Sequence, residues 1–274
     1  MKKILVPTDY SETASNALKY AVSLATFSNA ELILLHIYHI PIPAGDVPVI
    51  IISPEELAKD NAERIQKLET YITTLGFPLS RVKFLSEEGM AGDEIPRIGK
   101  EQEADMIVMG ISGVGALAHA VFGSVSLSVI KNSGMPVLII PPGAVFKVPE
   151  KIALAYNYKK NLHKTILDQV IGLVNAFGAK LYVVDVVETD KMPDYESAVA
   201  GITLENALRD VEHDLYFPEA EDVTKGLNEF VDAHQCDWLV MLPHKHSFLY
   251  GLFHKSETKS SVFHTHIPLL AIHH

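Results

Sequence analysis

Residues 3–11, KILVPTDYS, begin as a short apolar run that reaches a proline and then turns polar. A run of this length, closed by turn residues, is typical of a strand that is buried on both faces of a sheet. The residues that follow have helical spacing, with one apolar face made of Ala14, Leu18, Ala21, Val22 and Ala25. A buried strand that leads into an amphipathic helix predicts an α/β fold with helices covering the sheet.

The alternation of strand and helix continues along the first half of the chain. A second helix is expected to begin at Ser53, with Glu56 completing a capping box, and a third to run from Ser124 to Lys131 and end at Gly134. Further buried strands are predicted at ELILLHIY (31–38), VKFLSEE (82–88), DMIVMG (105–110) and PVLIIP (136–141). These elements predict an open, parallel, five-stranded sheet with helices on both faces.

The second half of the chain repeats the first in the same order. The matched segments are KILVPTDYS (3–11) with KIALAYNYK (151–159), NAELILLHIY (29–38) with GAKLYVVDVV (178–187), EADMIVMG (103–110) with QCDWLVML (235–242), and GMPVLIIPP (134–142) with HIPLLAIHH (266–274). We therefore predict two tandem α/β domains, 1–146 and 147–274, with a boundary in the proline- and glycine-rich segment 141–150.

Composition excludes several classes of protein. Apolar residues make up 48% and charged residues 21% of the 274, which is typical of a globular chain. The net charge of −11 argues against a nucleic-acid binder or a binder of anionic membranes. The single cysteine, Cys236, cannot form an internal disulfide, and no apolar run approaches the roughly 18 residues of a membrane span. With no signal peptide in the first residues, we expect a cytoplasmic protein.

A glycine-rich stretch, GISGVGALAHAVFGS (110–124), joins the fourth predicted strand to the helix that begins at Ser124. Ligands of open parallel sheets bind beyond the carboxyl ends of the strands. The first strand ends at Pro7, Thr8 and Asp9, and the fourth ends at Met109 and Gly110. These two strand ends are expected to line one crevice.

The residue types around this crevice suit a phosphate-bearing ligand. Glycine lets a phosphate chain approach the backbone, and the amides at the helix start would bind an anion. The amides and hydroxyls available there belong to Gly123, Ser124, Val125 and Ser126. The carboxylate of Asp9 suits ribose hydroxyls or a metal ion, and Ile37 offers an apolar surface to a base. From these residues alone, a nucleotide site and a merely flexible loop both remain open.

The sequence resembles the universal stress protein family. Its nucleotide motif, G-x2-G-x9-G-(S/T), is matched by Gly110, Gly113, Gly123 and Ser124, and ILVPTDYSETASNAL (4–18) is similar to the family's first strand and helix. The resemblance covers essentially the whole chain as two copies. It implies a Rossmann-like fold of the adenine nucleotide alpha-hydrolase type, with five parallel strands in each domain.

The same resemblance implies an adenine nucleotide on the first domain: ATP, with AMP and ADP as alternatives and Mg²⁺ as an accompanying ion. By this resemblance, Pro7, Thr8, Asp9 and Ile37 would surround the adenosine, and Met109 and Gly110 would form the crevice floor. Gly113, Gly123, Ser124 and Val125 would hold the phosphates. Many members of the family carry a basic residue just after the second glycine, where this chain has Val114.

The resemblance also implies how the domains assemble. The family's fifth strands pair antiparallel between subunits, and this chain supplies two of them, PVLII (136–140) and PLLAI (268–272). We therefore expect an intramolecular pseudo-dimer, with a homodimer of whole chains as an additional assembly.

The second copy loses the residues of the motif. In the matched positions, Leu242, Lys245 and Lys255 replace the three glycines, Ala155 replaces Pro7, and Asn157 replaces Asp9, while Ser256 matches Ser124. We expect no ATP there. Seven histidines fall in this region, and a metal or a small anion is the alternative ligand: His244, His246, His254, His264, His266, His273 and His274.

Three functions remain open from the sequence. A nucleotide-binding regulator in a stress response is favoured by the intact motif. A slow ATPase is the second, although the glycine loop carries no lysine or arginine for phosphoryl transfer. A scaffold with a vestigial ATP site is the third.

Overall fold

The computed structural model describes residues 1–39, 54–111, 123–156, 163–188, 195–242 and 266–272. We call residues 1–146 the first half and residues 147–274 the second half. The motif residue Gly113 and the start of the second predicted helix at Ser53 lie outside the described residues, as do Asn157, Lys245, Lys255 and Ser256.

Strands and helices alternate along both halves. In the first half they are β1 (Lys3–Pro7), α1 (Glu12–Ser28), β2 (Glu31–Tyr38), α2 (Pro54–Thr74), a 3-10 turn (Leu79–Arg81), β3 (Val82–Glu88), α3 (Ala91–Glu101), β4 (Met106–Gly110), α4 (Ser124–Asn132) and β5 (Val137–Ile140). In the second half they are β6 (Lys151–Ala155), α5 (Lys164–Phe177), β7 (Lys180–Val184), β8 (Val187–Glu188), α6 (Tyr195–Leu208), β9 (His213–Tyr216), β10 (Glu219–Ala220), α7 (Val223–His234), β11 (Trp238–Met241) and β12 (Leu269–Ala271).

One open sheet of ten strands runs through both halves, in the order β3-β2-β1-β4-β5-β12-β11-β6-β7-β9. All neighbouring strands are parallel except the central pair, where β5 and β12 run antiparallel and Leu138 faces Leu270. The predicted fold class, an open and mostly parallel α/β sheet, is confirmed. Each half contributes five strands, but they belong to one continuous sheet instead of two separate ones.

Helices cover both faces of this sheet and form two apolar layers. On one face, residues of α1, α2 and α5 pack against strand side chains such as Ile4 and Val6. On the other face, residues of α3, α4 and α7 pack against side chains such as Leu5 and Ile107. Because alternate residues of a strand point to opposite faces, one continuous apolar run supplies both layers.

Local contacts are repeated between the halves. Asp237 precedes β11, and its Oδ2 accepts hydrogen bonds from the amides of Glu150 (2.7 Å) and Lys151 (3.0 Å). Asp105 precedes β4 and accepts in the same way from the amides of Lys2 and Lys3. Asp105 thus fixes the start of β1, which pairs with β4, and Asp237 fixes the start of β6, which pairs with β11.

Helix α3 was not predicted, because Gly92 and Pro96 are residues that ordinarily interrupt helices. Pro96 has no N–H, so the carbonyl of Gly92 lacks its usual helical donor, and the Ser128 hydroxyl donates to it at 3.4 Å. A Cβ on Gly92 would lie 2.6 Å from that same hydroxyl oxygen. Close packing of α3 on α4 therefore explains both residues.

The end of α4 also differs from the prediction. The helix stops at Asn132 with Ser133 as its cap, one residue before Gly134. The Ser133 hydroxyl donates to the carbonyl of Met135 at 2.8 Å, which secures the turn into β5. The side chain of Ser133 thus stabilises the end of the helix, which the sequence pattern attributed to Gly134.

Aromatic side chains fill the junction between the halves beside the central strand pair. The indole Nε1–H of Trp238 donates to the Tyr20 hydroxyl at 2.8 Å, and both side chains are buried. Phe177 packs edge-on against Trp238 at 5.1 Å between ring centroids, and Phe27 stacks on Phe177 at 5.5 Å. Helices α1 and α5 are therefore joined across the two halves by ring contacts as well as by the sheet.

Candidate functional site

A crevice opens at the carboxyl ends of β1 and β4. Between these two strands the order of the sheet changes direction: β2 and β3 follow on one side of β1, and β4 and β5 follow on the other. Reversal points of this kind are where open α/β sheets bind ligands. The cavity there has a volume of about 140 Å³, which is far more than one water molecule needs and is large enough for a group of a ligand. Eight predicted residues line it together: Pro7, Thr8, Asp9, Ile37, Met109, Gly110, Val125 and Ser126.

Two other predicted residues lie at the start of α4 but are not among those that line the cavity. Gly123 is the N-cap of α4, with extended backbone angles (φ −71°, ψ 159°), and Ser124 is the first helical residue. Ser124 and Val125 are exposed. The positive end of the α4 dipole therefore lies at the edge of the crevice, where an anionic group would meet free helix-start amides.

Residues 8–11, which we call the Thr8–Ser11 wall, form the side of the crevice between β1 and α1. The amide of Thr8 donates to the carbonyl of Leu35 at 2.8 Å, and the Thr8 hydroxyl accepts from the Tyr10 amide at 3.1 Å. Asp9 is exposed, and its carboxylate accepts from the Ser11 amide at 3.0 Å. The carboxylate is thereby held at the cavity by its own turn.

Helix α1 begins at the same wall. The Ser11 hydroxyl accepts from the amide of Ala14 at 3.2 Å, which is a standard N-cap contact, and it lies 2.9 Å from the Thr13 hydroxyl. Both hydroxyl-bearing residues line the cavity. The crevice thus has a cluster of hydroxyl groups beside the Asp9 carboxylate, which suits a ligand rich in hydroxyls such as a ribose.

The structure gives the glycine at position 110 a reason that the sequence did not show. The resemblance places Gly110 in the crevice floor, and a Cβ there would lie 2.6 Å from the backbone oxygen of Thr13. The close approach of α1 to the end of β4 therefore excludes a side chain regardless of any ligand.

Ser126 also differs from its predicted role as a free donor. Its side chain is buried, and its hydroxyl donates to the carbonyl of Gly110 at 3.4 Å. The hydroxyl therefore links α4 to the end of β4, although the residue still lines the cavity.

Asp9 is the single charged side chain among the described residues that line the cavity. No lysine, arginine or histidine from the described ranges reaches it. Among the described residues, attraction for an anion would come from backbone amides and the helix dipole at the start of α4.

Six residues that line the cavity were not predicted: Ser11, Thr13, Ala14, Leu35, Ala91 and Ile95. A signal existed for Ser11, because a serine just before a helical pattern is a typical cap. Ala91 and Ile95 belong to α3, which was itself missed. Leu35 shares an apolar strand face with Ile37 and could have been inferred from the alternation of strand side chains.

Buried side chains stand at two positions of the second half that match residues of the crevice. Tyr156 stands where the first half has Thr8 and is buried, with its amide bound to the carbonyl of Val184 at 3.0 Å. Val186 stands where the first half has Ile37, and α7 packs so closely on it that a Cβ on Gly226 would lie 2.5 Å from its Cγ1.

Most of the histidines that suggested a metal site lie outside the described residues. His266 is described, and its Nε2 lies 2.9 Å from Oδ1 of Asp232. Within the described ranges, no group of three or more histidine, cysteine, aspartate or glutamate side chains could hold a metal ion. In the same part of the chain, every helix is too short or too polar to cross a membrane.

Fold and crevice together define an open, doubly wound α/β protein with a crevice at the carboxyl ends of two of its strands. A profile described as "Universal stress protein family" matches residues 1–141, which is just over half of the chain. The chain belongs to the universal stress protein family.

Individual relatives agree with this assignment. A universal stress protein of Methanocaldococcus jannaschii is 32% identical over 155 residues, which is 51% of this chain and 94% of the relative. The universal stress protein YxiE of Bacillus subtilis is 30% identical over 144 residues, which is 50% of this chain and 97% of the relative.

Solved structures resemble the whole chain, and one of them serves as an example. The crystal structure of a universal stress protein from Archaeoglobus fulgidus superposes with a TM-score of 0.74, covering 99% of this chain and 98% of the other at 17% identity. At this identity the likeness concerns the fold, and it extends over both halves.

Proposed function

We propose that the protein binds an adenine nucleotide, principally ATP, in the crevice of the first half and acts as a nucleotide-dependent regulator in a stress response. One observation carries this proposal: eight residues that were selected from the sequence alone line the same cavity, at the reversal point of the sheet. Membership of the universal stress protein family agrees with it.

Each part of the crevice suits one part of a nucleotide. Leu35 and Ile37 offer an apolar surface for the base, and Asp9 with the nearby hydroxyl groups suits the ribose or a Mg²⁺ ion. The phosphates would lie at Gly123 and the start of α4, together with Gly113 of the motif. The phosphate contacts are main-chain amides and the helix dipole, which bind anions without a basic side chain. AMP and ADP would share the adenosine contacts and make fewer phosphate contacts.

Nucleotide binding is proposed for the first half alone. Tyr156 and Val186 are buried at the positions that match Thr8 and Ile37, and the side chain of Leu242 replaces Gly110 and packs against the core. Tyrosine at position 156 and leucine at position 242 are larger than the Thr8 and Gly110 that they replace, which supports the proposal that no nucleotide binds there.

We also propose that the chain consists of two tandem universal stress domains, 1–146 and 147–274, arranged as an intramolecular pseudo-dimer. Three observations support this: the mirrored strand order about β5 and β12, the repeated contacts of Asp105 and Asp237, and a fold likeness that covers both halves.

Isothermal titration of the full chain with ATP and Mg²⁺ tests the function. We expect one nucleotide per chain, and we expect Gly113→Val and Gly123→Val to abolish binding while circular dichroism shows an unchanged fold. Gly172→Ala is the matched control, because a Cβ there meets no atom within 4 Å. Two nucleotides per chain, or undiminished affinity in both valine variants, would contradict the proposal.

A turnover assay separates binding from catalysis. Phosphoryl transfer usually needs a lysine or arginine on the phosphates, and none from the described residues lines the crevice. We therefore expect ATP to be released intact after prolonged incubation with the purified protein. Steady hydrolysis that disappears in Gly123→Val would show an ATPase instead.

A further inference from the structure

Tyr10 has an unusual backbone conformation in the Thr8–Ser11 wall. Its φ angle is +63°, in the left-handed region that residues other than glycine rarely occupy. This conformation turns the chain so that the Ser11 amide reaches the Asp9 carboxylate and the Ser11 hydroxyl reaches α1. Something outside the local sequence must keep a tyrosine in this conformation.

The Tyr10 side chain lies between a strand and a helix on the side away from the cavity. Its ring centroid is 4.7 Å from that of His36 in β2, at an interplanar angle of 54°. The guanidinium carbon of Arg64 in α2 lies 4.9 Å from the Tyr10 ring centroid, and Arg64 Nε donates to Asp60 at 2.7 Å. The tyrosine is thus held between a ring and a cation.

His36 also contacts the wall directly. Its Nδ1 lies 2.9 Å from the carbonyl oxygen of Thr8 and donates to that oxygen in the tautomer that carries the proton on Nδ1. The residues on both sides of Asp9, Thr8 and Tyr10, are therefore attached to the same histidine. The described residues that line the cavity do not include Tyr10, His36 or Arg64. These three residues therefore influence the cavity through the Thr8–Ser11 wall and not by direct contact with a ligand.

We infer that Tyr10, His36 and Arg64 form a positioning stack that holds the Thr8–Ser11 wall, and with it Asp9, in the geometry that binds the nucleotide. The inference rests on the proposed function. Without the stack, residue 10 relaxes out of the left-handed region and moves the Asp9 carboxylate and the Ser11 amide away from the ribose position.

Three substitutions at Tyr10 separate positioning from simple packing. Tyr10→Phe keeps the ring and is expected to bind ATP as tightly as the wild type in isothermal titration. Tyr10→Ala loses the ring but keeps the penalty of a left-handed L-residue, and we expect affinity to fall on the order of tenfold. Tyr10→Gly also loses the ring but occupies the left-handed region without penalty, so its affinity should lie within about threefold of wild type.

This ranking is the opposite of what packing alone predicts, because glycine removes more contact than alanine. Arg64→Gln, which removes the cation from a half-buried helix position, is expected to weaken binding about threefold while leaving the fold intact. Equal affinity in Tyr10→Ala and Tyr10→Phe, or weaker binding in Tyr10→Gly than in Tyr10→Ala, would overturn the inference.

A measurement without nucleotide distinguishes failure of this inference from failure of the proposed function. Amide hydrogen exchange at residues 10 and 11 of the ligand-free protein should be faster in Tyr10→Ala than in Tyr10→Phe, since the amides there donate to Thr8 and Asp9. Unchanged exchange in Tyr10→Ala overturns the stack even if ATP binds. If the wild type binds no nucleotide, the proposed function fails and the positioning role fails with it.

Discussion

The contact between Gly110 and the start of α1 leads to a prediction about stability. Gly110→Ala would place a Cβ 2.6 Å from the backbone oxygen of Thr13, and backbone cannot move aside as cheaply as a side chain. We expect the free energy of unfolding to fall by about 1–3 kcal/mol. Urea denaturation of the full chain measures it.

Gly134→Ala is the matched control for this substitution. Its Cβ would meet no atom within 4 Å, and the residue does not have a positive φ. The control is expected to leave the free energy of unfolding unchanged. If both variants were equally stable, the close approach of α1 to Gly110 would be disproved.

Ser86 in β3 carries a buried hydroxyl that has no hydrogen-bond partner among the described residues. A buried hydroxyl without a partner is unfavourable, so its removal should not destabilise the protein. We expect Ser86→Ala to leave the free energy of unfolding unchanged or to raise it by up to about 1 kcal/mol. Thermal denaturation followed by circular dichroism provides the measurement.

Ser133→Ala serves for comparison, because the Ser133 hydroxyl is also buried but donates to the Met135 carbonyl at 2.8 Å. This variant should lose about 1 kcal/mol. A larger loss for Ser86→Ala than for Ser133→Ala would mean that Ser86 has an important partner.

At the scale of single elements, the start of β6 is fixed by Asp237, an aspartate whose titration should affect stability. Burial by itself raises the pKa of Asp237, but the hydrogen bonds from the Lys147 ammonium and the amides of Lys151 and Glu150 outweigh it and hold the pKa below its usual value. The stabilisation is therefore complete above the unfolded-state pKa of about 3.9 and is lost as the pH falls through the lower folded-state value.

Asp237→Asn tests this effect. At pH 7 we expect a loss of about 1–3 kcal/mol, because the charge that accepts these hydrogen bonds is removed. The difference from wild type should shrink as the pH is lowered below about 4. Urea denaturation at several pH values measures it, and a difference that is independent of pH would contradict the explanation.

The elements that sequence could predict are those with a local signal. The strand and helix from Lys3 to Ser28 follow from an apolar run, a serine cap and helical spacing. Helix α3 could not be predicted, because Gly92 and Pro96 are tolerated only through their contacts with α4. Two cavity residues, Ala91 and Ile95, were missed with it. The left-handed conformation of Tyr10 could not be predicted from the sequence either, because its side chain contacts His36 and Arg64, which are distant in sequence.

Across the whole molecule, the hydrogen bond from Trp238 to Tyr20 joins the second half to helix α1 of the first. Tyr20→Phe leaves a buried indole N–H without its acceptor, which should lower the free energy of unfolding by about 1–3 kcal/mol. Trp238 is the only tryptophan of the chain, so its fluorescence reports on this junction directly.

A double-mutant cycle with Trp238→Phe isolates the contact. The double variant should lose less stability than the sum of the two single variants, because each single change removes the same hydrogen bond. Strict additivity would show that the two side chains are energetically independent.

The antiparallel pairing of β5 with β12 has a further consequence for how the molecule meets its surroundings. In the ten-stranded sheet, the five strands of the first half point toward one rim, and the five strands from the second half point toward the opposite rim. Strands β8 and β10 form a separate two-stranded sheet. The mouth of the crevice in the first half and the corresponding edge of the second half therefore face in opposite directions. A ligand bound at one rim would therefore affect the opposite rim only through the central pair of strands, β5 and β12.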